Sequence, residues 1–167
     1  MNSVSTARIA IGNLQAETGL AFQMVYLKGS DCEQSDLIDS LQGRVATTQI
    51  LSDGEGYALA VIPRNWAIDP PALQEEFGRD LHIANDVETE QSLLRGIPIT
   101  IASARERGID LILEQSLACL PSVYLETVHP HLLIHLDGES FRRLFYGSWC
   151  GCISHAREPV RSACGTG

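Results

Sequence analysis

Short apolar runs, some alternating and some continuous, are separated along the chain by glycine, proline and acidic breaks. The clearest is Val45 to Pro63, VATTQIL and YALAVIP joined by SDGEG, where the Asp53-Gly54 pair predicts a hairpin turning at Ser52 to Glu55. Upstream, the spacing predicts an amphipathic helix over Ala7 to Thr18, a strand over Ala21 to Leu27 and a short helix over Asp36 to Leu41. Downstream, Asp69 ahead of Pro70 and Pro71 caps a helix through Phe77 that Gly78 ends. Asn85 and Glu88 form a capping-box pattern for a further helix closed by Gly96. Strands are expected over Asp110 to Leu113, Ser122 to Glu126 and Leu132 to Leu136. A last helix, Glu139 to Tyr146, buries Phe141, Leu144 and Phe145 and exposes Arg142 and Arg143.

Hairpins interspersed with helices, without regular strand-helix-strand alternation, predict an α+β domain on a largely antiparallel or mixed sheet. The expected organisation is one domain over residues 1–155 followed by a disordered tail over 156–167, where the sequence turns small and polar. A chain of 167 residues, 44% of them hydrophobic, suits one core and buries about 70% of its unfolded surface.

Charge narrows the chemistry. The formal net charge of −9 argues against a general nucleic-acid binder, so DNA is not an expected partner and RNA contact must be local. Of the 12 basic residues only Lys28 is a lysine. No glycine pattern of the Rossmann or phosphate-loop kind occurs, so no nucleotide cofactor is expected. No apolar run reaches a membrane span and the first ten residues lack a signal pattern, so a cytoplasmic, membrane-free protein is the expectation. Five cysteines with no framework spacing fit reduced thiols.

Several residues invite a chemical reading beside an ordinary one. His129, His131 and His135 alternate along a strand and could share one metal-facing side, although such alternation more often marks a solvated face. Cys150, Cys152 and His155 lack a second ligand pair, and thiols of the core or tail are the plainer reading; no metal is expected. Thr47 taken alone is an ordinary half-buried strand residue.

In order along the chain, VATTQIL, SDGEGYALAVIP, the IDPPALQEEFGRDLHIA block, RGIDLILEQSL, SVYLE and HLLIHLDGESFRRL resemble the YbaK-type aminoacyl-tRNA deacylases, relatives of the editing insertion of prolyl-tRNA synthetases. The resemblance runs from about Gly19 to Tyr146. It implies a barrel-like mixed sheet surrounded by helices and hydrolysis of wrong amino acids from tRNA. In that family the first hairpin strand reads VAKT, with the lysine in the pocket. Here Asp53, Gly56 and Tyr57 fix the register, and Thr47 stands at the lysine position. A hydroxyl replaces a four-carbon ammonium arm.

The resemblance also implies a carbonyl-polarising loop over Arg95 to Ile109, in which Gly96, Pro98 and Ser103 are the candidate substrate-binding residues, with later glycine and proline positions replaced. The family histidine aligns on Pro130, leaving His129 and His131 as alternatives. Tyr57 and Glu114, the latter where relatives carry aspartate, complete the expected substrate contacts. Two readings follow. One is an editing deacylase acting in trans on the 3′ end of aminoacyl-tRNA, weak or inactive for want of the lysine; the other is a non-catalytic module of the same fold binding a small ligand, a synthetase or another protein.

Overall fold

The computed structural model describes residues 15–16, 19–20, 22–41, 44–84, 108–126 and 131–157. Its strands are β1 (Gln23–Tyr26), β2 (Val45–Ser52), β3 (Tyr57–Pro63), β4 (Trp66–Ile68), β5 (His82–Ile83), β6 (Asp110–Glu114), β7 (Ser122–Glu126), β8 (Leu132–Asp137), β9 (Trp149–Gly151) and β10 (Ser154–Ala156). Its helices are α1 (Asp31–Ser40), α2 (Pro70–Phe77), α3 (Gln115–Ala118) and α4 (Gly138–Leu144). Eight strands form one mixed sheet in the order β1-β8-β7-β2-β3-β6-β9, with β5 added beside β2, and β10 pairs separately with β4. The large mixed sheet with few helices is the architecture expected, with four of its seven pairings among the described residues antiparallel and three parallel.

The predicted hairpin forms with an unbroken register from Ala46 opposite Pro63 to Ser52 opposite Tyr57. Asp53 closes it: its Oδ1 accepts the amides of Glu55 and Gly56, each at 2.9 Å, while Gly54 takes φ +87°. The turn is thus Asp53 to Gly56, one residue later than expected. Asp69 caps α2 through the Ala72 amide, and Gly78 ends it with φ +76° and an amide bond to the Gln74 carbonyl. Glycine is required at 138, where the Asp137 cap begins α4, because a Cβ there would strike the Leu120 carbonyl oxygen.

Hydrophobic clusters form on both faces of the sheet. On one, Ala46, Ile50, Leu59, Val61, Leu111 and Leu113 pack with Leu117 of α3 and Phe141 and Leu144 of α4. On the other, the apolar surface divides. Leu51, Ala58, Ala60, Ile62 and Ile112 pack under Leu73 of α2, Ile68 of β4 and Ile153. Across the sheet, Leu27, Val45 and Leu133 form a separate cluster with Val25, Leu41 and Tyr124. Strand alternation places Thr47, Gln49 and Glu126 on this second face, and none of them belongs to either cluster.

Three expectations change. The helix expected at Asp36 to Leu41 begins at Asp31. Ala156 and Arg157, placed in the expected tail, are paired instead: β10 runs through Ala156 opposite Trp66 and the Arg157 amide donates to the Asn65 carbonyl at 3.3 Å, while residues 158–167 lie outside the described residues. Packing continues there because β4, a three-residue strand with no sequence signal of its own, offers β10 an edge. The last helix is shorter than expected, ending at Leu144, although Phe141, Leu144 and Phe145 are buried as predicted. The expected helix from Asn85 and most of that over Ala7 to Thr18 lie outside the described residues.

Candidate functional site

Thr47 lies on β2 opposite Ile62 of β3. On its other side β2 runs parallel to β7, with Val45 beside Tyr124 and Ala46 beside Leu125, so the next step brings Glu126 beside Thr47. All three residues project from the same face. Gln49, two residues along β2, shares that face.

Arg64, just after β3, reaches Glu126: its Nε lies 3.0 Å from Oε1. Because β2 lies between β3 and β7, the arginine side chain must cross β2 beside Thr47 to do so. The two side chains retain 34% and 31% of their exposure, although the paired Oε1 is itself buried. The contact brings opposite charges together without an aligned hydrogen bond, and Oε1 has no hydrogen-bond donor among the described residues. The Gln49 Oε1 is buried in the same condition. Burial raises the Glu126 carboxyl above its ordinary pKa, and the Arg64 charge offsets part of that shift.

The result is a small polar strip between two apolar clusters, carrying a hydroxyl, an amide, a carboxyl and a guanidinium. Such a strip can grip a small ligand that bears both donors and acceptors. Arg64 and Glu126 were not singled out from sequence, because they are distant in the chain and each is an ordinary surface residue type. The register of β7 against β2 brings them together.

The other expected residues separate. Glu114 shares this face but lies two strands from Thr47, beyond Ile62, and is buried to 2% exposure. Its Oε1 accepts the amides of Ile153 and Ser154, both at 3.0 Å, and the Ser154 hydroxyl at 2.9 Å. Its Oε2 accepts the Ser116 amide at 3.0 Å, capping α3. This carboxylate therefore binds the chain's own donors, where the sequence reading gave it a substrate contact. Tyr57 stands at the other end of the hairpin, five positions from Ile62, which is about 17 Å along the strand, and on the opposite face.

His131 precedes β8 on the Glu126 side of the sheet, and its Nδ1 lies 2.7 Å from Gln34 Oε1 of α1. His135 stacks on Tyr124 at 4.4 Å and bonds Gln23. These distinct partners account for the two described histidines of the alternating set, and among the described residues no three His, Cys, Asp or Glu gather for a metal ion. His129, Gly96, Pro98 and Ser103 lie outside the described residues. No helix of the described residues is long and apolar enough to cross a membrane.

No protein-family model matches the sequence, and no curated protein matches it at a significant level. Solved structures do match in shape. A candidate trans-editing enzyme for prolyl-tRNA synthetase superposes with a TM-score of 0.70 at 16% identity, covering 90% of this chain and 98% of that one. A hypothetical protein gives a TM-score of 0.70 at 17% identity over 87% of this chain and 99% of its own. A candidate signal-transduction protein from Marinobacter aquaeolei VT8 gives 0.63 at 20% identity, with 84% of this chain matched to 30% of that one. The fold is the one these proteins share. At such identities likeness speaks for fold alone, since one fold hosts many functions.

Proposed function

We propose that the chain is an editing domain of the YbaK-like type, acting in trans to hydrolyse a wrong amino acid from the 3′ end of tRNA, at a low rate. The observation that carries this reading is the Arg64 guanidinium crossing β2 beside Thr47. A positive charge thereby stands next to the strand position where the resembled family carries its lysine. The fold shared with a candidate trans-editing enzyme supports the same reading.

Chemically, an aminoacyl ester needs its carbonyl polarised and its developing oxyanion stabilised. Arg64 supplies fixed positive charge and Thr47 a hydroxyl donor. Burial raises the Glu126 carboxyl above its ordinary value, and it stands beside Thr47 as the acidic group of the strip. The low rate follows from the ion pair: a guanidinium already held by Glu126 polarises a carbonyl less than a free ammonium aimed at it.

Incubating the protein with a panel of mischarged aminoacyl-tRNAs tests the proposal. Expected is hydrolysis of at least one above the uncatalysed rate, falling about tenfold in Arg64→Ala, the loss of one charge-assisted contact in the transition state. A panel left wholly intact would establish the alternative, a non-catalytic module of this fold.

A further inference from the structure

Away from the polar strip, thiols gather at the opposite end of the sheet. Among the described residues Cys119, Cys150 and Cys152 are free and exposed, so Cys150 and Cys152 are thiols neither of the core nor of the tail. Within the described residues β9 ends the sheet, and Cys150 stands there beside Leu113 of β6, which belongs to the cluster packed under α3 and α4. Its side chain therefore leaves the sheet on the α3 side. Two residues along, Cys152 points the same way, and its thiol donates to Gln115 Oε1 at 3.6 Å. Gln115 opens α3 and Cys119 caps its C-terminus, four residues later and on the same side of the turn, about 6 Å away. A helix and an edge strand distant in sequence thus bring their thiols to one place. Partial burial raises the Cys150 thiol above its ordinary value, and its neighbours Glu114, Cys119 and Cys152 raise it further, in that order.

We infer that Cys119 and Cys150 form a reversible disulfide joining α3 to the edge strand β9, made by exchange with a small-molecule disulfide. Cys152 is a poor partner for Cys150, because side chains two residues apart on a strand leave in parallel, with Cβ atoms about 6.6 Å apart where a disulfide needs about 3.8 Å. Its own thiol is held by Gln115. In the first step the Cys119 thiolate attacks one sulfur of the small disulfide, which forms a mixed disulfide and releases one small thiolate. The Cys150 thiolate then attacks the Cys119 sulfur and releases the second. Two protein thiols are oxidised, one small disulfide is reduced to two thiols, and the two protons pass from the protein to the leaving groups. Its raised thiol suits Cys150 to the second step, where a neighbour's high local concentration compensates for a smaller thiolate fraction. The segment closed by the bond contains β7, β8 and α4, so the link ties the far half of the sheet to this edge. None of this depends on the editing reading.

The test incubates the reduced protein with glutathione disulfide, blocks the remaining thiols by alkylation and maps the peptides by mass spectrometry without reduction. Expected is a Cys119–Cys150 link within one chain, removed by dithiothreitol, absent from Cys119→Ser and Cys150→Ser and kept in Cys152→Ser. Cys150→Ser should stop at a glutathione adduct on Cys119, about tenfold more abundant than in wild type, because the second step has lost its thiol. The wild-type map stands without any variant, so a serine substitution that disturbed folding would leave the proposal testable. In urea the preference for this pair should vanish, since the fold alone brings the two thiols together. A link from either cysteine to any other in the folded protein, glutathione adducts with no link, or the same distribution of links in urea would overturn the inference.

Discussion

At the scale of single residues, Thr47 and Glu114 share one sheet face but have opposite surroundings. Glu114, read as a substrate contact, is a buried junction: one carboxylate accepts from Ser116, Ile153 and Ser154 and so ties β6 to α3 and to the segment leading into β10. Glu114→Ala would strand those donors in the interior. Its expected cost is about 3 kcal/mol, measured as a lower midpoint in urea denaturation, whereas a change under about 0.5 kcal/mol would mean water replaces the carboxylate freely. Thr47, in contrast, is half-exposed and surrounded by charge. Thr47→Lys would place an ammonium beside Glu126, freeing the Arg64 guanidinium from its partner. Deacylation of a mischarged tRNA should rise about tenfold over wild type, and an unchanged rate in a folded variant would separate the strip from catalysis.

At the scale of elements, the Val45 to Pro63 hairpin was the most legible part of the chain, because strand propensity, alternation and an Asp-Gly turn all agree within one short stretch. The α2 helix was legible for the same reason, with its cap, prolines and terminal glycine in sequence order. What the sequence withheld is what tertiary pairing decides: β4, β9 and β10 are three residues each and exist because a neighbour offers an edge. The candidate site was legible only at Thr47 and, through the resemblance, its surroundings. Arg64 and Glu126 meet across β2, and no local pattern records which strands are adjacent. One further bond locks the hairpin: Arg79 Nε donates to Asp53 Oδ2 at 2.8 Å and its Nη1 to Asp110 at 3.0 Å. Together with the turn amides, Arg79 holds the Asp53 carboxyl well below the usual carboxylate range. A depressed carboxylate stabilises the fold above its unfolded pKa, about 3.9, and that contribution is lost as pH falls through the lower folded value. Asp53→Asn should therefore melt lower than wild type from about pH 5 to 8, with the gap closing on acidification below about pH 4. A gap that widened in acid would contradict the assignment.

At the scale of the whole molecule, a formal charge of −9 sits uneasily with a tRNA ligand. Net negative charge gives no general attraction to a polyanion, so on the editing reading proposed above affinity comes from the acceptor end and few phosphates. Binding of uncharged tRNA is expected to be weak and to fall further as salt rises from about 50 to 200 mM, as measured by fluorescence anisotropy. Tight binding insensitive to salt would place the contact elsewhere.

The division of one sheet face into two apolar clusters bears on how such a protein can change over time. Each cluster closes on its own residues, and the strip between them contributes to neither. Substitutions at Thr47, Gln49, Arg64 and Glu126 consequently carry little folding penalty, since no methyl group of the packed interior is displaced by them. Stability and chemistry are under separate control on this surface. One polar residue here can be exchanged for another while both apolar clusters stay packed.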